Sequence, residues 1–226
     1  RRLITERPEP LYRMMEYALG WTEQDGTPRP GYQPLRLHAS LCLLMCHAMG
    51  SAVEQALPTA AAVELVHLFS LVHDDIQDGN PDRDKRPAVW WVWGPAQAIN
   101  VGDGLDALAR LALLGIAHQG VEPEGTLHAV RLLNQSCLEL LEGQYWETHF
   151  QEQLQGSQQS YLAMVEKRAG ALLGCALELG ALNAGAPAPQ LQGCRTAGRK
   201  LGVALQIHRD VRDLWEAARQ GTPPGD

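Results

Sequence analysis

The sequence lacks several features that would place the protein in other classes. It has no uninterrupted run of about 18 apolar residues and no signal-peptide pattern, so stable membrane insertion is not expected. It has no excess of basic residues, and the formal net charge of −7 argues against nucleic acid as a partner. Its five cysteines are an odd number without disulfide-framework spacing, which indicates a reducing compartment and a cytoplasmic protein.

The chain also lacks strand patterning and several common catalytic motifs. No GxSxG motif, dinucleotide-binding glycine pattern or zinc motif occurs in the context it needs. No segment alternates cleanly between apolar and polar residues. The 226 residues are enough for one domain with a sizeable core, so we expect residues 1–226 to form a single domain. Because the sequence starts with Arg1 and ends in a loop-like stretch, we expect a fragment of a longer chain.

Helical periodicity, broken by glycine and proline, predicts seven helices. They cover residues 10–21, 35–49, 58–78, 95–118, 123–150, 158–182 and 190–220. Residues 22–34 and 184–189 are predicted loops. Residues 82–94 are charged and then aromatic, and are predicted to form a partly ordered loop across a cavity mouth. The predicted fold class is all-α.

Three carboxylates within five residues end the predicted helix over residues 58–78: Asp74, Asp75 and Asp78. On a helix, Asp74 and Asp78 are i,i+4 neighbours and Asp75 lies on the adjoining row, so all three can face one point. So much negative charge at the end of an apolar helix is unfavourable unless a cation neutralises it. Oxygen ligands suit Mg²⁺, which takes one or two carboxylates with waters and substrate phosphates. The alternative is an acidic helix end that meets a solvated loop.

A second acidic pair, Asp210 and Asp213, lies on the last predicted helix. Their i,i+3 spacing can place both on one face, and acidic clusters on two helices of a bundle suggest facing walls of one cavity. An ordinary charged face is an equally good interpretation. Arginine is a natural phosphate partner because its fork binds two oxygens. The candidate cations, each of which could instead be a solvated surface charge, are Arg36, Arg83, Lys85, Arg86, Lys167 and Arg168.

Two further groups have simpler explanations. His38, Cys42 and Cys46 share a helical face and could bind a soft metal, but core packing is favoured because free cysteine behaves as a small hydrophobe. The tryptophans at 90, 91 and 93 could gate a cavity through their aromatic faces, although packing under a loop is somewhat favoured.

The residues around the first acidic cluster resemble those of the trans-isoprenyl diphosphate synthases, the polyprenyl synthetase family. The lead-in at residues 64–70, the cluster itself, Arg83 and Pro87 look like the first aspartate-rich motif of that family with its downstream arginine and proline. Family-like places in the same order are held by Gly102-Asp103-Gly104-Leu105, Gly143-Gln144-Tyr145 and Gln206-Ile207. The first motif with its lead-in is highly specific, whereas the later short motifs are weak alone.

This resemblance implies an isoprenoid synthase fold, a helical bundle around a central cavity, with Mg²⁺, an allylic prenyl diphosphate substrate and carbocation chemistry. Asp74, Asp75 and Asp78 would bind the metal ions that hold and ionise the diphosphate, together with Asp210 and Asp213. The resemblance also implies a homodimer, and C-terminal helices that this sequence lacks. The implied diphosphate-binding residues are Arg36, His67, Arg83, Lys167, Arg168 and Arg209.

The same resemblance bears on chain length. Phe69 and Ser70 precede the first motif by about one helical turn and would face the cavity floor. The bulk of Phe69 is expected to cap the pocket and so to limit substrates or products to about fifteen to twenty carbons. Gln144 and Gln206 would line the same cavity.

The sequence departs from the family pattern where isopentenyl diphosphate would bind. The early Gly-Lys-Arg-x-Arg-Pro stretch has Gln33 in place of the lysine and Pro34 in place of the first arginine, which leaves Arg36. The second arginine after the first motif is replaced by Asp84. A site that loses three cations has much less charge to offset a diphosphate.

Two later motifs also differ. The Lys-Thr pair of the family reads Arg168-Ala169, and the first aspartate of the second motif is replaced by Arg209. Arginine cannot ligate a metal, but it can offer a positive fork to a diphosphate oxygen. We therefore predict that Arg209 grips the diphosphate; the alternative is that it rotates into solvent.

These departures narrowly favour a terpene synthase, in which the prenyl cation cyclises, loses a proton or takes water. The close alternative is a chain-elongating farnesyl or geranylgeranyl diphosphate synthase with isopentenyl diphosphate as its second substrate. A catalytically silent partner subunit of a related synthase is the third interpretation.

Overall fold

Helices make up nearly all of the regular structure in the computed structural model, which describes residues 2–30, 34–153 and 156–220. Within these ranges the α-helices are α1 (Arg2–Thr5), α2 (Pro10–Ala18), α3 (Leu37–Ala48), α4 (Leu57–Gln77), α5 (Val89–Trp93), α6 (Pro95–Leu113), α7 (Pro123–Gln153), α8 (Gln158–Val165), α9 (Ala171–Asn183) and α10 (Ala188–Gln220). Short 3₁₀ turns cover Val53–Ala56 and Leu114–Gln119, and a π-helical turn covers Glu166–Gly170. The predicted all-α class is confirmed.

The helix ends follow the sequence signals closely. The central helix α4 starts and ends one residue before the predicted span of 58–78. Gly79 follows it with φ of 66°, a left-handed conformation that glycine adopts without steric cost and that commonly ends helices. Helix α2 stops at Ala18, before the predicted end at residue 21, because Gly20 turns the chain with φ of 74°.

The prediction of a partly ordered loop over residues 82–94 is wrong. Strands β1 (Asp82–Arg83) and β2 (Arg86–Pro87) form an antiparallel hairpin, and α5 follows. Asp84 and Lys85 make the connection with φ values of 51° and 62°. Positive φ at both central residues is the mark of a type I′ hairpin turn, which usually carries a glycine. Neither turn residue is a glycine, so the hairpin could not be predicted from this signal.

The predicted helix over residues 158–182 is divided by the π-helical turn, which includes Lys167 and Arg168. Such turns are often found at functional sites. This turn and α10 approach each other closely: a Cβ atom at Gly202 would overlap the carbonyl oxygen of Ala169. Close backbone packing therefore fixes the turn that carries these two cations.

Contacts divide the chain into two compact units. The described residues of the first lie within 1–37 and 61–115, and those of the second within 38–60 and 116–226. In the first unit α6 contacts α2 and α5, and in the second α9 contacts α7 and α10. Nearly every side chain of α9 is buried, from Ala171 to Asn183. The single domain expected from the sequence stays a prediction.

Among the described residues, one helical stretch, Val53–Gln77, is long and apolar enough to cross a membrane. Within its most apolar window, 56% of the residues are buried inside the protein. A buried core helix has the same composition as a spanning helix, so composition does not distinguish the two.

Candidate active site

The acidic end of α4 carries two buried carboxylates. Asp74 and Asp75 are 5% and 3% exposed, whereas Asp78 is exposed just beyond the helix. Helix α4 buries Val66 and Val72 in the core, and its folding takes the neighbouring aspartates out of water as well. The carboxyl end of a helix carries a partial negative charge of its own. A cation partner therefore stabilises the ionised carboxylates at this point.

Arg83 of β1 supplies that cation to Asp75. Its Nε donates to both carboxylate oxygens of Asp75, at 2.8 and 2.9 Å, and its Nη2 lies 2.6 Å from Oδ1. Burial raises the pKa of the Asp75 carboxyl, while the hydrogen bonds and charge of Arg83 act in the opposite direction. The helix break at Gly79, directly after α4, leads into β1 and so keeps Arg83 near the end of the helix.

The donor chemistry of this cluster fits Mg²⁺, because the ion needs only one or two protein carboxylates besides waters and phosphates. Asp74 and Asp75 would provide these two carboxylates. Within the described ranges, however, no three or more His, Cys, Asp or Glu side chains are grouped so that they could hold an ion. The convergence of Asp74, Asp75 and Asp78 on one point stays a prediction.

A cavity of about 220 Å³ lies beside the cluster, within the first unit. One face of α4 forms one wall, and residues 17–20, residues 34–36 and the hairpin form the others. The charged and polar residues that line it are Tyr17, Arg36, Glu64, His67, Asp75, Arg83, Asp84 and Arg86. The structure thus brings together three residues that were predicted to bind diphosphate: Arg36, His67 and Arg83.

Arg36 and His67 reach this cavity from different elements. The Nη2 atom of Arg36 donates to the carbonyl oxygen of Leu19 at 3.0 Å, and its Nη1 lies 4.0 Å from a carboxylate oxygen of Glu64. His67 stands on α4 about two helical turns before Asp75, so both side chains share one face of the helix. Glu64 was not predicted as a site residue, although its i,i+3 spacing from His67 places both on one face of α4.

Arg86 and Tyr17 form a pair in the same cavity. The guanidinium carbon of Arg86 lies 3.9 Å from the centroid of the Tyr17 ring. Arg86 also donates to the carbonyl oxygens of Tyr17, at 3.4 Å, and Thr22, at 3.0 Å. The hydroxyl of Tyr17 donates to the carbonyl oxygen of Pro87 at 2.7 Å. The sequence marked Arg86 as a candidate cation but missed Tyr17, because nothing local predicts a contact over 69 residues.

Phe69 and Ser70 are both buried, at 5% and 3% exposure. The Ser70 hydroxyl donates to the carbonyl oxygen of His67 at 2.8 Å, within its own helix. The Phe69 ring meets the His73 ring edge-on at 5.3 Å, and a Cβ atom at Gly102 would overlap that imidazole. This contact explains the glycine of the Gly102-Asp103 motif. Neither Phe69 nor Ser70 lines the 220 Å³ cavity, so their role as a cavity floor stays a prediction.

The second acidic pair belongs to the second unit. Asp210 accepts hydrogen bonds on both oxygens, from Nε2 of Gln206 at 2.8 Å and from the hydroxyl of Tyr161. Burial, and then the Asp210 carboxylate, raises the pKa of the Tyr161 phenol. Asp213 is exposed and lies 3.1 Å from Arg212. Tyr161 is a further residue that the sequence missed, and the facing of the two acidic clusters across one cavity stays a prediction.

Two of the three predicted cations of the second unit pair with carboxylates of α7. Lys167 pairs with Glu142 at 2.6 Å, and Arg168 with Glu147 at 2.9 Å. Arg209 is exposed. The predicted cavity residue Gln144 is buried on α7, next to Gly143, where a Cβ atom would overlap the backbone of Arg168.

Of the remaining candidates the two cysteines pack as core, whereas Trp90 and Trp93 are half-buried and Trp91 is 62% exposed. Cys42 and Cys46 are fully buried, and burial raises the pKa of both thiols, which favours the core-packing interpretation over a soft-metal site with His38. Trp90 donates to the carbonyl oxygen of Asn80 at 2.6 Å, and Trp93 meets the Tyr17 ring at 5.0 Å.

Comparisons with known proteins agree with the family resemblance of the sequence. A family model described as polyprenyl synthetase matches residues 35–224. The geranylgeranyl diphosphate synthase of Mycobacterium tuberculosis is 37% identical, over 100% of this chain and 63% of its own length. The (2E,6E)-farnesyl diphosphate synthase of Mycobacterium bovis is 34% identical, over 95% of this chain and 58% of its own. A crystal structure of polyprenyl synthetase from Streptomyces coelicolor A3(2) superposes with a TM-score of 0.86 at 34% identity, over 97% of this chain and 64% of that one.

The helical fold and the acidic end of its central helix therefore define an isoprenoid synthase fold. Within that class, the chain belongs to the polyprenyl synthetase family, as the resemblance predicted. The chain spans about 63% and 58% of the lengths of the two curated relatives.

Proposed function

We propose that the protein is a Mg²⁺-dependent trans-prenyl diphosphate synthase, which ionises an allylic prenyl diphosphate and joins its prenyl chain to isopentenyl diphosphate. One observation carries the proposal: a small cavity lined by Arg36, His67 and Arg83 lies directly beside the buried carboxylates Asp74 and Asp75. An ionising end and an adjoining anion-binding cavity are the two parts that chain elongation needs. Two relatives are named geranylgeranyl and farnesyl diphosphate synthases, which supports chain elongation better than the terpene synthase favoured by the sequence.

Each part has a role that follows from its charge. Bound Mg²⁺ would offset the charge of the allylic diphosphate, with Asp74 and Asp75 as its protein ligands. Arg83 can exchange the Asp75 carboxylate for a diphosphate oxygen, since a guanidinium binds either group with the same fork. Arg36 and His67 would orient the isopentenyl diphosphate in the cavity.

The size of the cavity supports a small second substrate. Its volume of about 220 Å³ is below the roughly 300–1,000 Å³ of sites for drug-sized ligands. It suits a diphosphate with a five-carbon chain better than a long prenyl chain. We further propose an allylic partner of C15–C20 size, a cytoplasmic location and a homodimer.

The terpene synthase remains the second candidate because of one observation. The Asp84 carboxylate lines the cavity where the family has an arginine, and it would repel a diphosphate. With Asp75 and Glu64, three carboxylates there oppose three arginines.

Product analysis tests the proposal. The purified protein is incubated with Mg²⁺ and geranyl, farnesyl or geranylgeranyl diphosphate, with and without isopentenyl diphosphate. A chain-elongating enzyme yields longer prenyl diphosphates only when isopentenyl diphosphate is present. Hydrocarbons or alcohols formed without isopentenyl diphosphate would establish a terpene synthase. If no substrate is turned over, the interpretation as a catalytically silent subunit is favoured.

A further inference from the structure

The hairpin places two arginines directly opposite each other. Arg83 of β1 pairs with Arg86 of β2 in the ladder, and both are half-buried and line the cavity. Directly opposed residues share one face, with Cβ atoms about 4.5–5.5 Å apart, and like charges in this position destabilise the pair. Asp75 compensates Arg83, whereas Arg86 donates to the carbonyl oxygens of Tyr17 and Thr22, which carry no formal charge. A shared anion between the two guanidiniums would relieve their repulsion.

The turn explains why the second cation stands at this position. Asp84 and Lys85 adopt positive φ, a conformation that aspartate tolerates well through local hydrogen bonding. Asp84 therefore serves the turn at the position where the family pattern has a second arginine after Arg83. Because the loop has two residues, the next cation in the chain, Arg86, comes to the same face of the hairpin as Arg83.

Tyr17 holds the Arg86 side chain in place. Its ring is 5% exposed, its hydroxyl donates to Pro87, and its edge meets Trp93. A cation within about 6 Å of an aromatic centroid is attracted to the ring face, and Arg86 lies well inside this limit. Its Nε is buried and has no hydrogen-bond partner within the described ranges. The two carbonyl contacts use only two of the five N–H donors of the guanidinium, so Arg86 retains capacity for an anion.

We propose that Arg86, stacked on Tyr17, is a second diphosphate-binding cation of this cavity and replaces the charge that is lost at Asp84. Its ligand is the diphosphate of the homoallylic substrate, bound jointly with Arg83 and Arg36. This inference rests on the proposed function, which supplies that substrate. If Arg86 binds no anion, its contacts serve only to hold the segment around Tyr17 and Thr22 in place.

The test compares Arg86→Gln with Lys85→Gln, which removes the same charge from the same hairpin at a side chain that is exposed and does not line the cavity. Steady-state rates are measured while isopentenyl and allylic diphosphate are varied separately. Arg86→Gln is expected to raise the KM for isopentenyl diphosphate by about tenfold to a hundredfold, the usual effect of losing a charge-assisted contact. The KM for the allylic substrate, and both KM values of Lys85→Gln, should stay within about twofold of wild type. Arg86→Lys, which keeps the charge but not the fork, should recover part of the loss.

A binding measurement distinguishes this inference from the proposed function. Isopentenyl diphosphate and inorganic diphosphate should each raise the Tm of the wild-type protein and of Lys85→Gln, but much less that of Arg86→Gln. An unchanged KM for isopentenyl diphosphate, or an equal Tm shift in all three proteins, would overturn the inference. If the wild type elongates no substrate, the proposed function fails. In that case the Tm shift with inorganic diphosphate alone tests the role of Arg86. The role is overturned if this shift is equal in the wild type and Arg86→Gln, or is absent in both.

Discussion

At the residue scale, Asp75 takes part in two interactions that compete. It holds Arg83 through a bidentate ion pair, and in the proposed function it is also a ligand of Mg²⁺. Asp74 is equally buried and lies one residue away. A guanidinium that is displaced from Asp75 remains at the cavity wall, where a diphosphate oxygen can replace the carboxylate. The two aspartates should therefore respond differently to mutation.

Asp74→Ala and Asp75→Ala are each expected to lower Mg²⁺-dependent diphosphate release by about a hundredfold or more, in line with the loss of one preorganised charge in a buried site. Both proteins should fold, since thinning an acidic cluster relieves repulsion. Asp75→Ala should be the less stable of the two because it leaves Arg83 without its carboxylate. Diphosphate release and thermal unfolding are measured, with the exposed Asp82→Ala as the control. Near-normal turnover in either variant would refute the assignment of these carboxylates.

Phe69 provides a second test at this scale. Phe69→Ala is expected to allow products longer than those of the wild type, since it removes a buried ring one turn below the first motif. The same change should cost about 3–5 kcal/mol of unfolding free energy, so Phe69→Leu serves as a milder variant with an intermediate shift. Product chain length is read by mass spectrometry. If both variants give wild-type products, Phe69 does not form the cavity floor.

Arg209 is exposed on α10, next to the hydrogen-bonded Asp210. If it grips the diphosphate, Arg209→Asp should require more Mg²⁺ for half-maximal activity and should change the KM of the allylic substrate. Arg212→Asp, an equally exposed charge reversal on the same helix, is the control. The two parameters are obtained by titrating Mg²⁺ and substrate. If Arg209→Asp and Arg212→Asp have the same Mg²⁺ requirement and the same KM for the allylic substrate, Arg209 does not bind the diphosphate.

At the element scale, hydrophobic periodicity located the central helix, because α4 buries Ala62, Leu65, Val66 and Phe69 at helical spacing. The hairpin was missed because its turn uses Asp84 and Lys85 rather than a glycine. The π-helical turn at Glu166–Gly170 was missed because it depends on packing against other helices, which leaves no local pattern. The acidic cluster was predictable from spacing alone, whereas its pairing with Arg83 depends on the hairpin.

The close contact behind the π-helical turn gives a stability prediction. Gly202→Ala is expected to lower the free energy of unfolding by about 1–3 kcal/mol, because its Cβ atom would overlap the carbonyl oxygen of Ala169. Gly193→Ala is the matched control on the same helix, with nothing within 4 Å of its Cβ position. It should instead gain up to about 1 kcal/mol, the helix propensity of alanine over glycine. Chemical denaturation measures both, and equal effects would show that α10 and the π-helical turn are not in close backbone contact.

At the scale of the whole molecule, fold class and family could be predicted from sequence, and both are confirmed. The reaction was harder to predict. The prediction considered only the cations that are replaced at Gln33, Pro34 and Asp84, and their loss argued against a site for isopentenyl diphosphate. The folded cavity contains a cation that was not assigned to that site, Arg86, and the relatives are named as prenyl diphosphate synthases. All residues that line the cavity belong to the first unit.

The central claim is that ionisation at Asp74 and Asp75 serves an acceptor bound in the neighbouring cavity. The most direct test is the rate of inorganic diphosphate release from an allylic substrate, measured with Mg²⁺ while isopentenyl diphosphate is titrated from zero. The account predicts a rate that is low without isopentenyl diphosphate and that rises to saturation as the cavity fills, with a prenyl diphosphate product longer by five carbons. Release at the full rate without isopentenyl diphosphate, or no release at any concentration, would contradict it.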